Sequence, residues 1–316
     1  MTLPTFADVL AAADRIRPHV HRTPVLRSTY LERRLGGELH FKCESFQRAG
    51  AFKFRGACNA VLSLTEEEAR RGVVTHSSGN HAQALALAAS LRGIAATIVM
   101  PANANPVKVA AVEGYGGRVV RCEPTLEARE TTAARVIEET GALLVHPFDD
   151  PRVIAGPGTA ALELFEEVLE LDAVVAPLGG GGLLSGTLLA CAGCAPRTAV
   201  YGVEPEGAAD GLRSLEAGRI VPSVDPRTVA DGLLTSLGVR TFAIIRDHVR
   251  AVVTVDDATI IEAMRLVWER MKIVVEPSAA VPLAALLAGK IEARGKRIGV
   301  IFSGGNVDVE RLPWGR

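Results

Sequence analysis

Lys53 stands among aromatics and small residues, in Arg48-Ala49-Gly50-Ala51-Phe52-Lys53-Phe54-Arg55-Gly56. Desolvation disfavours an ammonium ion, so a lysine in such a segment has a lowered pKa and serves as nucleophile or base. The segment also fits a lysine beside Arg55 on an exposed helix start. Gly179, Gly180, Gly181 and Gly182 give a second signal, between the apolar run Ala173–Ala176 and Leu183-Leu184-Ser185-Gly186. Backbone without side chains curls tightly and turns several N–H groups to one point, and the helix start that follows favours an anion. A phosphate is the expected guest, with a flexible turn as the alternative. The lysine and Ser/Thr of a nucleoside-triphosphate loop are missing, and Ser185 stands where a dinucleotide fingerprint needs its third glycine.

Thr75-His76-Ser77-Ser78-Gly79-Asn80-His81 follows a short β-type run and precedes an Ala/Leu helix. Ser, Gly and Asn there cap the helix or bind a carboxylate through N–H groups and hydroxyls. Asn80 also suits an acidic ring oxygen. Phe302-Ser303-Gly304-Gly305-Asn306 ends the last strand, where Ser303 offers a hydroxyl to a ring nitrogen or simply turns the chain. Glu204-Pro205-Glu206-Gly207-Ala208-Ala209-Asp210 sets two carboxylates near carbonyls, the oxygen shell a hard cation prefers, or else forms a solvated acidic loop. Cys191-Ala-Gly-Cys194 has redox spacing, but it lies in the helix after the glycines without a second pair and reads as helix packing.

The elements that must position these groups alternate. Val73–Thr75, Ala96–Met100, Arg118–Arg121 and Leu143–Val145 read as strands separated by helices near Ala82–Ala86, Val107–Glu113 and Leu126–Thr140. Parallel strands need such crossovers. Val174–Pro177, Val200–Val203 and Ile298–Phe302 repeat the grammar, and Leu39–Cys43 is an early strand able to join them. The periodicity predicts one helix over Asp257–Met271, started by Asp256-Asp257. The expected fold class is α/β, with two open, mainly parallel twisted sheets and helices on both faces. A larger unit takes residues 1–71 and 150–316, and a smaller one takes 72–149.

Composition narrows the partners. At 316 residues, 48% hydrophobic and 22% charged, the chain has enough apolar surface for two cores. A net charge of −1 gives no global field for nucleic acid. No apolar run reaches the ~18–20 residues that span a bilayer. The first residues carry no basic, then apolar, signal pattern, and five cysteines form an odd, sparse set. A cytoplasmic protein without membrane or nucleic-acid partners is expected.

Together the segments resemble the pyridoxal-phosphate enzymes of the β-family (fold type II), in the serine/threonine dehydratase and serine racemase branch. The resemblance runs over nearly the whole chain, from Glu44–Arg48 and Ala51–Ala57 through Ser77–His81, Val153–Gly156, Gly179–Leu183, Ala230–Gly232, Leu266–Lys272 and Glu276-Pro277 to Ser303–Asn306. It implies that Lys53 holds pyridoxal 5'-phosphate, Phe52 lies against its ring, and Gly179 to Gly182 with Leu183 cradle its phosphate. Asn80 would bond the 3-oxygen and Ser303 the pyridine nitrogen. Ser77, Ser78, Asn80, His81 and Arg129 would meet the amino-acid substrate. Glu204, the Ala208 carbonyl and Asp210 would hold a divalent cation (Mg²⁺, Ca²⁺ or Mn²⁺).

The activity implied first is a serine/threonine ammonia-lyase, giving a 2-oxo acid and ammonia by α,β-elimination. Lys53 would take the α-proton. Ser78 keeps two others open, serine racemase and threo-3-hydroxyaspartate dehydratase, because Lys53 and Ser78 would flank the α-carbon. A catalytically silent ligand-binding protein is a further reading. A homodimer is expected from the family. Ala49-Gly50-Ala51 departs from the family's Thr-Gly-Ser, so nucleotide regulation is not carried over.

Overall fold

Strands buried on both faces carry near-continuous apolar runs, as Ala96–Pro101 and Ala173–Pro177 do inside this chain's two sheets. The computed structural model describes residues 2–314. Its strands are β1 (Val25–Leu26), β2 (Glu38–Cys43), β3 (Val73–His76), β4 (Ala96–Pro101), β5 (Arg118–Cys122), β6 (Leu143–Leu144), β7 (Ala173–Pro177), β8 (Ala199–Pro205), β9 (Ala251–Val255) and β10 (Arg297–Phe302). One sheet has the order β1-β2-β10-β7-β8-β9, the other β5-β4-β3-β6. Every pairing is parallel except β1 with β2. The early strand does join the late ones: β2 runs beside β10 with Phe41 opposite Val300. The fold is thus α/β with helices on both faces of two mainly parallel sheets.

Helix ends follow local chemistry. Asp150 accepts from Arg152 N at 2.8 Å and opens the helix Pro151–Glu167. Asp256 accepts from Thr259 N at 2.9 Å and starts the helix predicted there. That helix is not uniform. It is α-helical over Asp257–Leu266, then widens to a π-turn over Val267–Met271 and stops at left-handed Lys272. Trp268 Nε1 donates to Val275 O at 3.0 Å, so the turn is tied down by tertiary contact that periodicity does not encode.

Beneath the Lys53 segment lies a buried charge network. The Arg55 side chain is 0% exposed; its Nε meets Glu44 Oε2 and its Nη1 meets Glu163 Oε1, both at 2.7 Å. Lys42 Nζ reaches Glu163 Oε2 at 2.6 Å. This excludes an exposed helix start for Lys53.

Candidate active site

Ligands in open parallel sheets sit outside the carboxyl ends of strands, and here those ends converge. Lys53 opens the helix Lys53–Leu62. The preceding residues are stitched to the end of β10: Phe52 N donates to Ser303 O at 2.9 Å, and Ala51 bridges Gly304. Lys53 Nζ donates to Pro147 O at 2.7 Å and lies 5.2 Å from the Phe52 ring centroid and 6.0 Å from that of Phe148. Burial lowers the Lys53 pKa to about 8, with the Glu276 carboxylate opposing the shift. An amine poised so near neutrality serves as nucleophile and base.

The glycine run turns from β7 into the helix Gly182–Cys194. Gly181 has φ +90°, and a Cβ on Gly180 would sit 2.3 Å from Phe148 Cδ1. No side chain caps this helix, which leaves its first-turn N–H groups for an anion. Thr241 Oγ1 pins the loop by donating to Gly180 O at 2.8 Å. With an activated amine, an uncapped glycine turn and the buried Ser303 brought together through Phe148 and Phe52, these residues fit pyridoxal phosphate.

Ser77, Ser78 and Asn80 lie partly exposed between β3 and the helix Asn80–Arg92. The Asn80 amide is already engaged: Nδ2 donates to Glu276 Oε1 at 2.8 Å, and Oδ1 accepts from Asn306 Nδ2 at 3.0 Å. His81 departs from the expected substrate contact. It is 2% exposed, and its Nε2 bonds the Val145 carbonyl at 3.2 Å. Burial holds its pKa well below the usual range, with the Lys53 charge adding to the effect. His81 therefore bolts the loop to the segment after β6. Arg129 is partly buried in the helix Leu126–Thr140 and donates to Thr125 O at 3.3 Å. It is close enough to His76 to join burial in lowering that imidazole's pKa, against Glu130.

Sequence reasoning missed the segment His146-Pro147-Phe148-Asp149. His146 Nδ1 accepts from Asp149 N at 3.0 Å, which leaves the proton of the neutral ring on Nε2. Burial, then His76, pushes its pKa down to about 4. Asp149 Oδ1 accepts from Arg240 N at 2.8 Å. A His and an aromatic directly after a parallel strand were the available signal. Glu276, 5% exposed and pushed up to about 8 chiefly by burial, was noted only as part of a motif. Lys108 meets Asp231 at 2.7 Å, linking the helix Pro106–Gly114 to the turn Asp231–Leu233.

The acidic segment is placed differently from the loop the sequence suggested. Glu204 belongs to β8, and its two oxygens accept from Gly211 N and Leu212 N, each at 2.8 Å. Asp210 opens the helix Asp210–Ala217. Its Oδ2 is buried without a hydrogen bond, as is the Oγ of nearby Ser223. Burial pushes Glu204 up to about 8, and Asp210 adds to this; burial raises Asp210 as well. Two buried acids with an orphaned oxygen fit a cation. Among the described residues no group of three or more His, Cys, Asp or Glu gathers, so backbone carbonyls or water must complete any shell.

Fold and site fit an α/β enzyme that works through a phosphate-bearing cofactor. The family description "Pyridoxal-phosphate dependent enzyme" matches residues 16–304, and the chain belongs to that family. It is 52% identical to a beta-hydroxyaspartate dehydratase of Paracoccus denitrificans, over 99% of this chain and 100% of that one. It is 51% identical to an L-threo-3-hydroxyaspartate ammonia-lyase of Saccharomyces cerevisiae, over 98% and 96%. The crystal structure of serine racemase from Dictyostelium discoideum superposes with TM-score 0.93 at 49% identity, over 97% of this chain and 99% of that one. Its relatives make this chain a member of the ammonia-lyase and racemase group of fold type II. No helix among the described residues is long and apolar enough to cross a membrane.

Proposed function

We propose that this protein is a pyridoxal-phosphate ammonia-lyase for β-hydroxy amino acids, with L-threo-3-hydroxyaspartate ahead of serine and threonine and racemisation as a second activity. The sequence alone put serine and threonine first; the names of the relatives favour the dicarboxylic substrate. One observation carries that order. Arg129 acts on His76, whose ring meets that of His146 edge-on at 6.0 Å, and among the described residues the only polar partner of Arg129 is a backbone carbonyl. A guanidinium without an acid partner suits the second carboxylate that serine lacks.

Bound at Lys53, pyridoxal phosphate supplies a sink for the electron pair left when the α C–H bond breaks. The protein does the rest. Lys53 takes the α-proton, and Ser78 stands as the second proton carrier when configuration inverts. Ser77, Ser78 and the Asn80 backbone N–H would hold the α-carboxylate, and the Asn80 side-chain amide would bond the ring 3-oxygen. Gly179 to Gly182 and Leu183 would hold the phosphate, Phe52 would lie against the ring, and Ser303 would meet the pyridine nitrogen. A serine there would not enforce protonation of that nitrogen as a carboxylate would, which favours elimination. Elimination of 3-hydroxyaspartate gives 2-oxosuccinate and ammonia.

Residues 72–149 would form the smaller unit and 1–71 with 150–316 the larger, in a cytoplasmic homodimer. The test is a panel of hydroxyaspartate, serine and threonine scored for oxo acid, ammonia and chirality. Arg129→Met is expected to cut kcat/KM on hydroxyaspartate about 10- to 100-fold while sparing serine. An equal loss on all three would refute the role of Arg129, and a protein yielding neither oxo acid nor inverted product would refute the enzyme reading.

Glu204, the Ala208 carbonyl and Asp210 would hold a divalent cation. Without one, Glu204 binds its proton more tightly folded than unfolded, so it costs stability as pH rises from 4.5 toward 8. A cation needs both carboxylates ionised. Stabilisation by Mg²⁺ in thermal melts should therefore grow from pH 5.5 to pH 8, and Asp210→Ala should abolish it. A shift that is independent of pH, or that survives Asp210→Ala, would place the ion elsewhere.

A further inference from the structure

Asn306 sits where three segments meet. Its Nδ2 donates to Ala49 O at 2.7 Å and to Asn80 Oδ1 at 3.0 Å. Ala49 is left-handed at φ +55°, Gly50 follows at φ +68°, and a Cβ on Gly50 would lie 2.5 Å from Asn306 Oδ1. The turn that delivers Lys53 is thus folded around this one amide. A non-glycine residue in that region is strained and persists only when its surroundings hold it.

The direction of each amide follows by elimination. The Ala49 carbonyl only accepts, so Asn306 must present its NH₂ end. Asn80 must then turn its carbonyl to Asn306 and its own NH₂ to Glu276. One hydrogen on Asn80 Nδ2 goes to Glu276, and the second is claimed by no protein group among the described residues. Glu276 alone cannot dictate this order. Asp231, Lys108, Lys53 and the Asn306 N–H all act on it, and a carboxyl pushed up to about 8 can be protonated near neutrality and donate instead. A peptide carbonyl never can.

We propose that Asn306 is a positioning residue that sets the polarity of Asn80, keeping an N–H rather than a carbonyl directed at the cofactor's ring oxygen. This rests on the reading of Asn80 and Lys53 given above. The same bonds join the 48–50 turn, the end of β10 and the first residue of the helix Asn80–Arg92. One side chain therefore links the turn that presents Lys53 to the placement of Asn80.

The test uses purified holoenzyme and reads visible absorption beside thermal stability. Asn306→Asp is isosteric but replaces the donor with an acceptor. Asn80 is expected to turn over, and most of the cofactor's visible band should pass to the near-ultraviolet as the ring oxygen keeps its proton. The melting temperature should drop as acceptors crowd Ala49. In the double variant Asn306→Asp/Glu276→Gln, the new amide at 276 can donate to the turned Asn80 carbonyl. Stability should then partly recover while the altered spectrum persists. Asn306→Ala, which adds no charge, should give a mixed spectrum and covers the case in which the first variant fails to fold.

A wild-type spectrum in both single variants would overturn the proposal. So would a double variant that regains spectrum and stability together, because that pattern belongs to a purely structural role. Wild-type protein that takes up no pyridoxal phosphate would overturn both this proposal and the reading beneath it. Cofactor uptake with unchanged variant spectra would overturn this one alone.

Discussion

Replacing Lys53 with alanine is expected to abolish turnover, by at least about four orders of magnitude on any substrate of the panel. Two functions vanish together. The amine proposed to hold the cofactor is gone, and so is the proposed base for the α-proton, with its pKa of about 8. Fold should survive, because among the described residues the Lys53 amine bonds only the Pro147 carbonyl, and the charges that anchor this helix belong to Arg55. The check pairs a continuous oxo-acid assay with an absorption spectrum and a thermal melt. A variant that keeps wild-type rates would remove Lys53 from the chemistry. A variant that loses its melting transition would show that the lysine also bears on folding.

Replacing Arg55 with methionine should produce the opposite pattern, a large loss of stability. The guanidinium is fully buried against Glu44, itself 0% exposed, and against Glu163. Removing Arg55 leaves two carboxylates with Lys42 and the Thr23 hydroxyl as their remaining partners, which costs roughly 3–5 kcal/mol. The loss has a pH signature. Burial raises the Glu163 pKa, but Arg55 and Lys42 overcome it and hold the carboxyl below its usual 4.5. Stability from this pair is present above 4.5 and fades as pH falls through the lower folded value. The variant should therefore lag the wild type most at neutral pH, with the gap narrowing in acid. Melts at pH 7 and pH 4 check this. A constant gap would assign the loss to packing alone.

Side-chain identity and spacing carried much of the site into view before any fold was known. The glycine turn was readable because only glycine allows φ +90° at 181 and leaves room at 180. Lys53 was readable because apolar neighbours on both sides predict desolvation, and desolvation shifts an amine. The pairing of the early strand with the late ones was legible as grammar: Leu39–Cys43 reads as a strand like the later ones, and parallel strands pair across long sequence distances. The limit shows at His81. Its type and place suggested contact with a substrate, yet it points inward to Val145, a direction that only packing assigns.

The sequence by itself determined the chemistry available: one desolvated amine, one anion-binding turn, one hydroxyl at the end of the last strand, and the alternation that builds parallel sheets. Those are properties of residue type and short-range order. Only the tertiary structure decided which distant groups act on them. Glu276 comes to Asn80 from 196 positions away, and Asn306 from 226. Pro147 and Phe148 close over Lys53 from a segment beyond β6. Hydrogen bonds and charges act over a few ångströms of space, and the chain brings these residues that close only after both sheets have formed.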